Sequence, residues 1–256
     1  MSTSITGHSA VDELPGPDGR EPLAGDAAGT GRLADRVFGG LGDVEAVQHL
    51  VAQVDGLLDG LEPDALVREA RRGLGDGIDL MIDAGECYDA RTAVRRSHQF
   101  AEFRPFWLEE MLHPDDVAGY KLLSAASPTP IAAGETECRL GEFVRLLDAG
   151  GLDWVQPDPG RCGISTMLAV GRAAGQRFKR TCNHSFKSGI TIAASLHVMA
   201  ALPGVDVFEF CMSDSPLRHD LTREKFEATD GYVAVTDAPG LGVTIDPATV
   251  AKYRVA

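Results

Sequence analysis

The chain has 256 residues, of which 44% are hydrophobic, and it carries a formal net charge of −14 at pH 7. That length and apolar content suit one sizeable core, such as a single α/β barrel. The excess of negative charge makes nucleic acid and anionic membrane poor partners. The five cysteines lack CxxC or zinc-ligand spacing, and no signal peptide or membrane span is evident, so we expect a cytoplasmic protein with reduced thiols.

The first part of the chain shows two different patterns. Residues 1–40 are rich in Gly, Pro, Asp, Ser and Thr, so we predict a disordered leader or a barrel remnant there, with residues 37–40 as the trace of a first strand. Apolar residues at steps of three and four then predict a helix over residues 44–58, with Asp43 able to cap it. A second helix is predicted over residues 63–74, with Pro63 in its first turn.

Six short strand-like runs follow, and helical stretches separate them. Strands that alternate with helices in this way indicate βαβ units and a parallel sheet. The predicted strands are 78–83, 106–109, 130–135, 154–158, 180–184 and 207–209, and the predicted helices lie near 90–103, 115–127, 141–149, 163–176 and 188–202. We assign the barrel to residues 41–220 and an extension that packs on it to residues 221–256.

Each of these runs ends on an ionisable side chain, and neighbouring ones are 23 to 26 residues apart. One strand, one helix and two loops take that many residues, so the side chains should collect at the C-terminal mouth of a barrel, where barrel active sites lie. A single acidic residue after a strand is usually a helix N-cap, but six consecutive modules indicate a site. The six residues are Asp83, Glu109, Glu135, Asp158, His184 and Glu209.

The carboxylates on three consecutive strands, Asp83, Glu109 and Glu135, predict a site for a hard divalent cation, Mg²⁺ first and Mn²⁺ second. Neighbouring carboxylates cannot all ionise in close contact unless a cation joins them. Glu110 competes for the place of the middle ligand. Adjacent strand residues point to opposite sides, so only one of this pair should face the barrel.

The other ionisable strand ends suit proton transfer. His184 is the candidate general base, and Asp158 on the adjacent strand would fix the tautomer of its imidazole. A protonated Glu209 could donate a hydrogen bond to a substrate carboxylate; the alternative is a buried carboxyl paired with a lysine. Asn183 and Lys187, beside His184, are the predicted substrate-binding residues.

Seven short motifs occur in order over residues 62–255: LMIDA (80–84), WLEE (107–110), PIAAGE (130–135), QPD (156–158), GIST (163–166), NH (183–184) and PGLGV (239–243). Together they resemble the mandelate racemase and muconate lactonizing branch of the enolase superfamily. The resemblance implies a (β/α)₇β barrel with Mg²⁺ on Asp83, Glu109 and Glu135. It also implies a base pair of His184 and Asp158, and Glu209 as the electrophilic acid.

Two features depart from that family. Its members carry a capping domain before the barrel and a Lys-x-Lys pair on the second strand, whereas here only residues 1–40 precede the barrel and no Lys-x-Lys occurs. No strand fits between a helix that ends near Gly60 and one that begins at Pro63. We therefore expect a TIM-like barrel that is incomplete at its N-terminal strands.

The resemblance implies Mg²⁺-dependent removal of the proton α to a carboxylate through an enediolate. With one base visible, dehydration of a sugar acid fits best, which predicts a lyase that takes a small carboxylate as substrate. The alternatives are a racemase, epimerase or cycloisomerase of the same superfamily, or a truncated, impaired barrel with a binding or scaffold role. We expect a homo-oligomer, since an unpaired strand edge tends to recruit another chain.

Overall fold

The computed structural model describes the backbone of residues 4–7 and 49–53, and residues 63–184, 188–205 and 207–255. Its main sheet has eight strands, all of whose pairings are parallel. They are β1 Ser4–Gly7, β2 His49–Gln53, β3 Asp79–Asp83, β4 Trp107–Glu109, β5 Ile131–Ala133, β6 Trp154–Val155, β7 Arg180–Thr181 and β8 Val207–Phe210. The order β7-β6-β5-β4-β3-β2-β1-β8 is that of a barrel opened between β7 and β8. The predicted α/β barrel class is confirmed.

Helices follow the strands close to the positions that the apolar periodicity predicts. Four of them begin at aspartate N-caps; Asp89, for example, accepts a hydrogen bond from the backbone of Thr92 at 2.9 Å, and Asp116 accepts one from Gly119 at 2.8 Å. The helices are α1 Pro63–Leu74, α2 Ala90–Phe100, α3 Val117–Ala126, α4 Leu140–Asp148, α5 Pro159–Cys162, α6 Ile164–Gln176, α7 Gly189–Ala201, α8 Pro216–His219 and α9 Pro247–Tyr253. A short 3₁₀ turn, Ala101–Phe103, extends α2.

Side chains alternate between the two faces of the sheet, and a core lies against each face. Leu80 and Leu108 belong to the larger core between the sheet and the helices. The barrel interior is filled by Met81, Trp107, Ala132, Trp154, Cys182 and Val207. Asp83 and Glu109 each lie two residues after a member of this inner group, so both carboxylates enter the barrel mouth from its inner face.

The predicted helix over residues 44–58 is wrong at its centre. His49–Gln53 form β2, which pairs with β3 along its whole length, from His49 beside Asp79 to Gln53 beside Asp83. Apolar residues at steps of three and four suit a helix in isolation, but pairing with β3 places the same residues in a sheet, and such tertiary contacts override local propensity. The flanking residues 44–48 and 54–58 lie outside the described residues.

The expectation of missing N-terminal strands is also wrong. The strand β2 precedes Pro63 and fills the place beside β3. Ser4–Gly7, predicted to be part of a leader, form β1 between β2 and β8. The predicted strand trace at residues 37–40 lies outside the described part of the chain.

The segment after α8 packs on the barrel. It contains a two-stranded antiparallel sheet of β9 Ala228–Thr229 and β10 Tyr232–Val233 and a bridge between Thr222 and Ile245. Phe226 and Val233 pack against a smaller core of α6, α7 and β8 side chains. The division at residues 220 and 221 stays a prediction. In the described ranges, no helix has the length and apolarity needed to cross a membrane.

Candidate active site

Backbone pairing brings the first two predicted ligands together. The register of β3 and β4 places Asp83 directly beside Glu109, and β4 pairs with β5, whose last residue lies two before Glu135. Asp83 and Glu109 are buried. Asp83 Oδ1 accepts a hydrogen bond from the backbone N–H of Gly85 at 2.9 Å, which holds this carboxylate at the strand end.

Glu109 lies in the most crowded part of the site. The indole N–H of Trp107 donates to Glu109 Oε2 at 2.9 Å inside the barrel. Burial raises the pKa of Glu109 well above its ordinary value, and the charges of Asp83, Glu209 and Glu135 raise it further. Sequence reasoning missed Trp107, although its position two residues before Glu109 could have indicated a side chain on the same face.

Glu135 and Glu209 both approach His184. The Nδ1 atom of His184 lies 2.9 Å from Glu135 Oε2 and 3.2 Å from Glu209 Oε2. Burial lowers the pKa of His184, but the Glu209 and Glu135 carboxylates more than offset this effect, so the net pKa lies well above the ordinary value. The structure thus joins His184 to a predicted metal ligand and to the predicted acid.

Asp158 has a local structural contact as well as a predicted catalytic role. Its Oδ1 accepts a hydrogen bond from the backbone of Gly160 at 2.6 Å, and it caps the short helix α5. The side chain is fully buried. The backbone N–H of His184 donates to Pro157 at 3.2 Å, so His184 is held next to the strand that carries Asp158. Orientation of the imidazole by Asp158 stays a prediction.

The structure describes one of the two predicted substrate-binding residues, Asn183. Asn183 is fully buried, and its side-chain amide bonds to the backbone of Glu209 in both directions, at 2.9 and 3.0 Å. Its amide is thus used within the protein, and the role in substrate binding stays a prediction. Lys187 lies outside the described residues, and its role stays a prediction.

Glu110 remains close to the site although Glu109 is the residue on the inner face. It follows the end of β4 with a positive φ of 41°, and it is buried. Burial raises the pKa of Glu110 to about 9, and the charges of Glu135, Asp83 and Glu86 act in the same direction. The parity argument separated Glu110 from Glu109 correctly within the strand, but it does not apply to the bend that follows.

The chemistry of these carboxylates fits a hard divalent cation. Asp83, Glu109 and Glu135 supply only oxygen atoms, and the like charges around Glu109 are those that a bound cation would neutralise. Among the described residues, however, no three His, Cys, Asp or Glu side chains are arranged as a metal-holding group. Glu135 approaches His184, and the three-carboxylate site stays a prediction.

Comparison with known proteins identifies the family. A model of proteins described as Enolase C-terminal domain-like matches residues 53–249, well over half of the chain. This chain belongs to that family. The predicted relationship to the enolase superfamily is thereby confirmed, and the motifs that carried it lie within the matched residues.

Two curated relatives of this enolase-like chain act on sugar acids or their lactones, as their names state. The chain is 33% identical over 207 residues to D-galactarolactone cycloisomerase of Agrobacterium fabrum, and the match covers 77% of this chain and 54% of that protein. It is 33% identical over 176 residues to L-talarate/galactarate dehydratase of Salmonella typhimurium, which covers 68% of this chain and 42% of that protein. The chain therefore spans about half the length of these relatives.

Solved structures agree with the sequence match. A racemase from Streptomyces coelicolor A3(2) with bound magnesium superposes with a TM-score of 0.77 at 25% identity, and the match covers 98% of this chain and 62% of that one. The fold of the enolase-like chain is thus that of proteins in which magnesium has been observed.

Proposed function

We propose that this enolase-like chain supports Mg²⁺-assisted removal of the proton α to a carboxylate, with dehydration of a sugar acid as the outcome. The observation that carries the proposal is the meeting of His184 with Glu135 and Glu209 at the strand ends, within 3.2 Å. Asp83 and Glu109 lie side by side at the same end of the sheet. A base, an acid and a carboxylate cluster are the groups that enediolate chemistry needs.

Each side chain has a defined task in this proposal. Asp83, Glu109 and Glu135 hold the cation, which would lower the energy of the negative charge that develops on the substrate carboxylate. His184 takes the α-proton and later returns a proton to the departing hydroxide, so one residue serves both halves of a syn elimination. Glu209, in its protonated form, donates to a carboxylate oxygen of the substrate.

A single base favours elimination over two-base racemisation. The chain contains no Lys-x-Lys, and the strand next to Asp83 is His49–Gln53, whose sequence HLVAQ has no lysine. Cycloisomerisation is the second candidate, because it also needs only one proton-abstracting group and because one curated relative is named for that reaction.

The first test concerns the metal. Mg²⁺ should raise the melting temperature by mass action, and EDTA should reverse the rise. Glu135→Gln should remove most of this rise, since it replaces a charged ligand with a neutral amide. Glu102→Gln is the matched control, because Glu102 is exposed and lies on the 3₁₀ turn that precedes β4, away from the strand ends. An equal rise in the parent and in Glu135→Gln would show that the metal site is assigned wrongly.

The second test concerns the reaction. The protein is incubated with Mg²⁺ and a panel of acid sugars that includes galactarate and gluconate, and 2-keto acids are measured. Formation of a 2-keto acid supports the dehydratase. Conversion of galactarolactone, added as a separate substrate, to an isomer, with no 2-keto acid from the free acid sugars, supports the cycloisomerase. Mg²⁺ binding without either product contradicts both and favours the binding role.

A further inference from the structure

The junction between β7 and β8 differs from the junctions between the other neighbouring strands of the barrel, which are joined by backbone ladders. The strands β7 and β8 stand at the two ends of the sheet order, and no backbone ladder pairs them within the described ranges. Beyond β7, the backbone N–H groups of Cys182 and His184 donate toward the β6 side, to Val155 at 3.1 Å and to Pro157 at 3.2 Å. The opposite side of this segment faces β8. We call this junction between residues 182–184 and β8 the seam.

The side chain of Asn183 bridges the seam. Its Nδ2 donates to the backbone oxygen of Glu209 at 2.9 Å, and the backbone N–H of Glu209 donates to its Oδ1 at 3.0 Å. A primary amide offers the same donor and acceptor as a peptide group, so this side chain makes the pair of bonds that a strand would make. Asn183 has no exposed surface, and buried hydrogen bonds of this kind are costly to lose.

The bridge lies between the two residues that the proposed reaction uses. Asn183 is the neighbour of His184 in the chain, and its partner is the backbone of Glu209 itself. The imidazole Nδ1 and the Glu209 carboxylate are 3.2 Å apart across the same seam. On its other side, the backbone N–H of His184 donates to Pro157, which follows β6. The contacts across the seam therefore determine how far His184 and Glu209 can still move relative to each other.

We propose that Asn183 is a positioning residue, whose amide closes the barrel between β7 and β8 and thereby sets the separation of His184 and Glu209. This inference rests on the proposed function, because it is that chemistry which gives the separation its importance. Other side chains should not replace it. Aspartate keeps the acceptor but loses the donor and adds a negative charge beside Glu209, while alanine loses both bonds.

The bridge between Asn183 and Glu209 can be tested without an activity measurement. Hydrogen exchange is followed by NMR at the amide of Glu209, with Phe208 as the internal reference, because N–H groups alternate along a strand and that of Phe208 faces β1. In Asn183→Ala, the Glu209 amide should exchange at least ~10-fold faster than in the parent while Phe208 changes little. In Asn183→Asp, which keeps the acceptor, the change should be smaller. Unchanged exchange at Glu209 in Asn183→Ala would overturn the bridge.

The positioning role has its own readout, the ¹⁵N signals of the His184 imidazole. Their chemical shifts should change in Asn183→Ala, because the distance between His184 and Glu209 changes. The shifts should equal those of the parent in Val170→Ala. Val170 is fully buried in the helix-side core on α6, so this control lowers stability without touching the seam. If the His184 signals move equally in both variants, or in neither, the positioning role is wrong.

The acid-sugar assay then separates this inference from the proposed function. In an active parent, Asn183→Ala should lower kcat ~10-fold or more with little change in KM, since it disturbs groups that act in the transition state. Val170→Ala should retain parental kcat below its melting temperature, and an equal loss in the two variants would overturn the positioning role. An inactive parent contradicts the proposed function alone, because the exchange and imidazole measurements still decide whether Asn183 sets the separation.

Discussion

The two halves of the barrel mouth are held in place by different means. Strands β3 to β6 are joined by backbone ladders, with Asp83 beside Glu109 in register. The His184 and Glu209 half is joined at the seam through side chains: the Asn183 amide bonds to the backbone of Glu209, and the His184 imidazole lies 3.2 Å from the Glu209 carboxylate. Backbone ladders form with almost any side chain, whereas the seam needs an amide of a particular length. The relative position of the strands should therefore tolerate side-chain substitution better in the carboxylate half than in the histidine half.

The largest expected effect is in the histidine half. His184→Asn should reduce α-deuterium exchange and turnover by ~10²–10⁴-fold, the usual loss when a general base is removed. The melting temperature rise caused by Mg²⁺ should persist, because the three carboxylates are unchanged. Asp158→Asn should cause a smaller loss, because the role predicted for Asp158 is to orient the ring and not to take the proton.

His197→Asn is the matched control for that experiment. His197 lies on α7, where its Nδ1 is 2.8 Å from the backbone oxygen of Ala193. The same substitution there should leave exchange unchanged. Parental exchange rates in His184→Asn would contradict the assignment of the base.

The next effect is in the carboxylate half, and it concerns Trp107. Trp107→Phe keeps an aromatic ring in the barrel interior but removes the indole N–H that donates to Glu109 Oε2. Because Glu109 is proposed to bind Mg²⁺, loss of this hydrogen bond should weaken Mg²⁺ binding by ~10-fold or more. Calorimetric titration of the protein with Mg²⁺ measures the change.

Trp154→Phe provides the comparison for Trp107. Trp154 packs against Phe106 and Trp107, with ring centroids 5.6 and 5.2 Å apart, so its replacement disturbs the same aromatic cluster. If both variants weaken Mg²⁺ binding equally, the effect comes from packing and not from the hydrogen bond.

The smallest expected effect is a difference in local stability between the halves. Amides of β3, which has paired neighbours on both sides, should exchange at least ~10-fold more slowly than those of β7, which pairs over two residues only. Hydrogen exchange with fragment-level mass spectrometry measures both. Rapid exchange throughout β3 in a monomer would show that β2 does not pair there and would restore the prediction of an incomplete barrel.

Sequence patterns predicted the modular part of this fold well. The helix predicted over residues 163–176 is α6, Ile164–Gln176, and the one predicted over 188–202 is α7, Gly189–Ala201. These elements form from local signals, namely apolar periodicity and end caps such as Ser188. The strand ends that carry Asp83 and Glu109 were also placed correctly, because each module repeats the same local pattern.

The sequence by itself determined the order of the modules and the residues that reach the barrel mouth. Only the tertiary structure decided which of them touch. His49–Gln53 became a strand because β3 offers a complete set of backbone partners. His184 meets Glu135 and Glu209, and Asn183 bonds to a backbone 26 residues away. Contacts of this kind join parts of the chain that are distant in sequence, so no local pattern of residues encodes them.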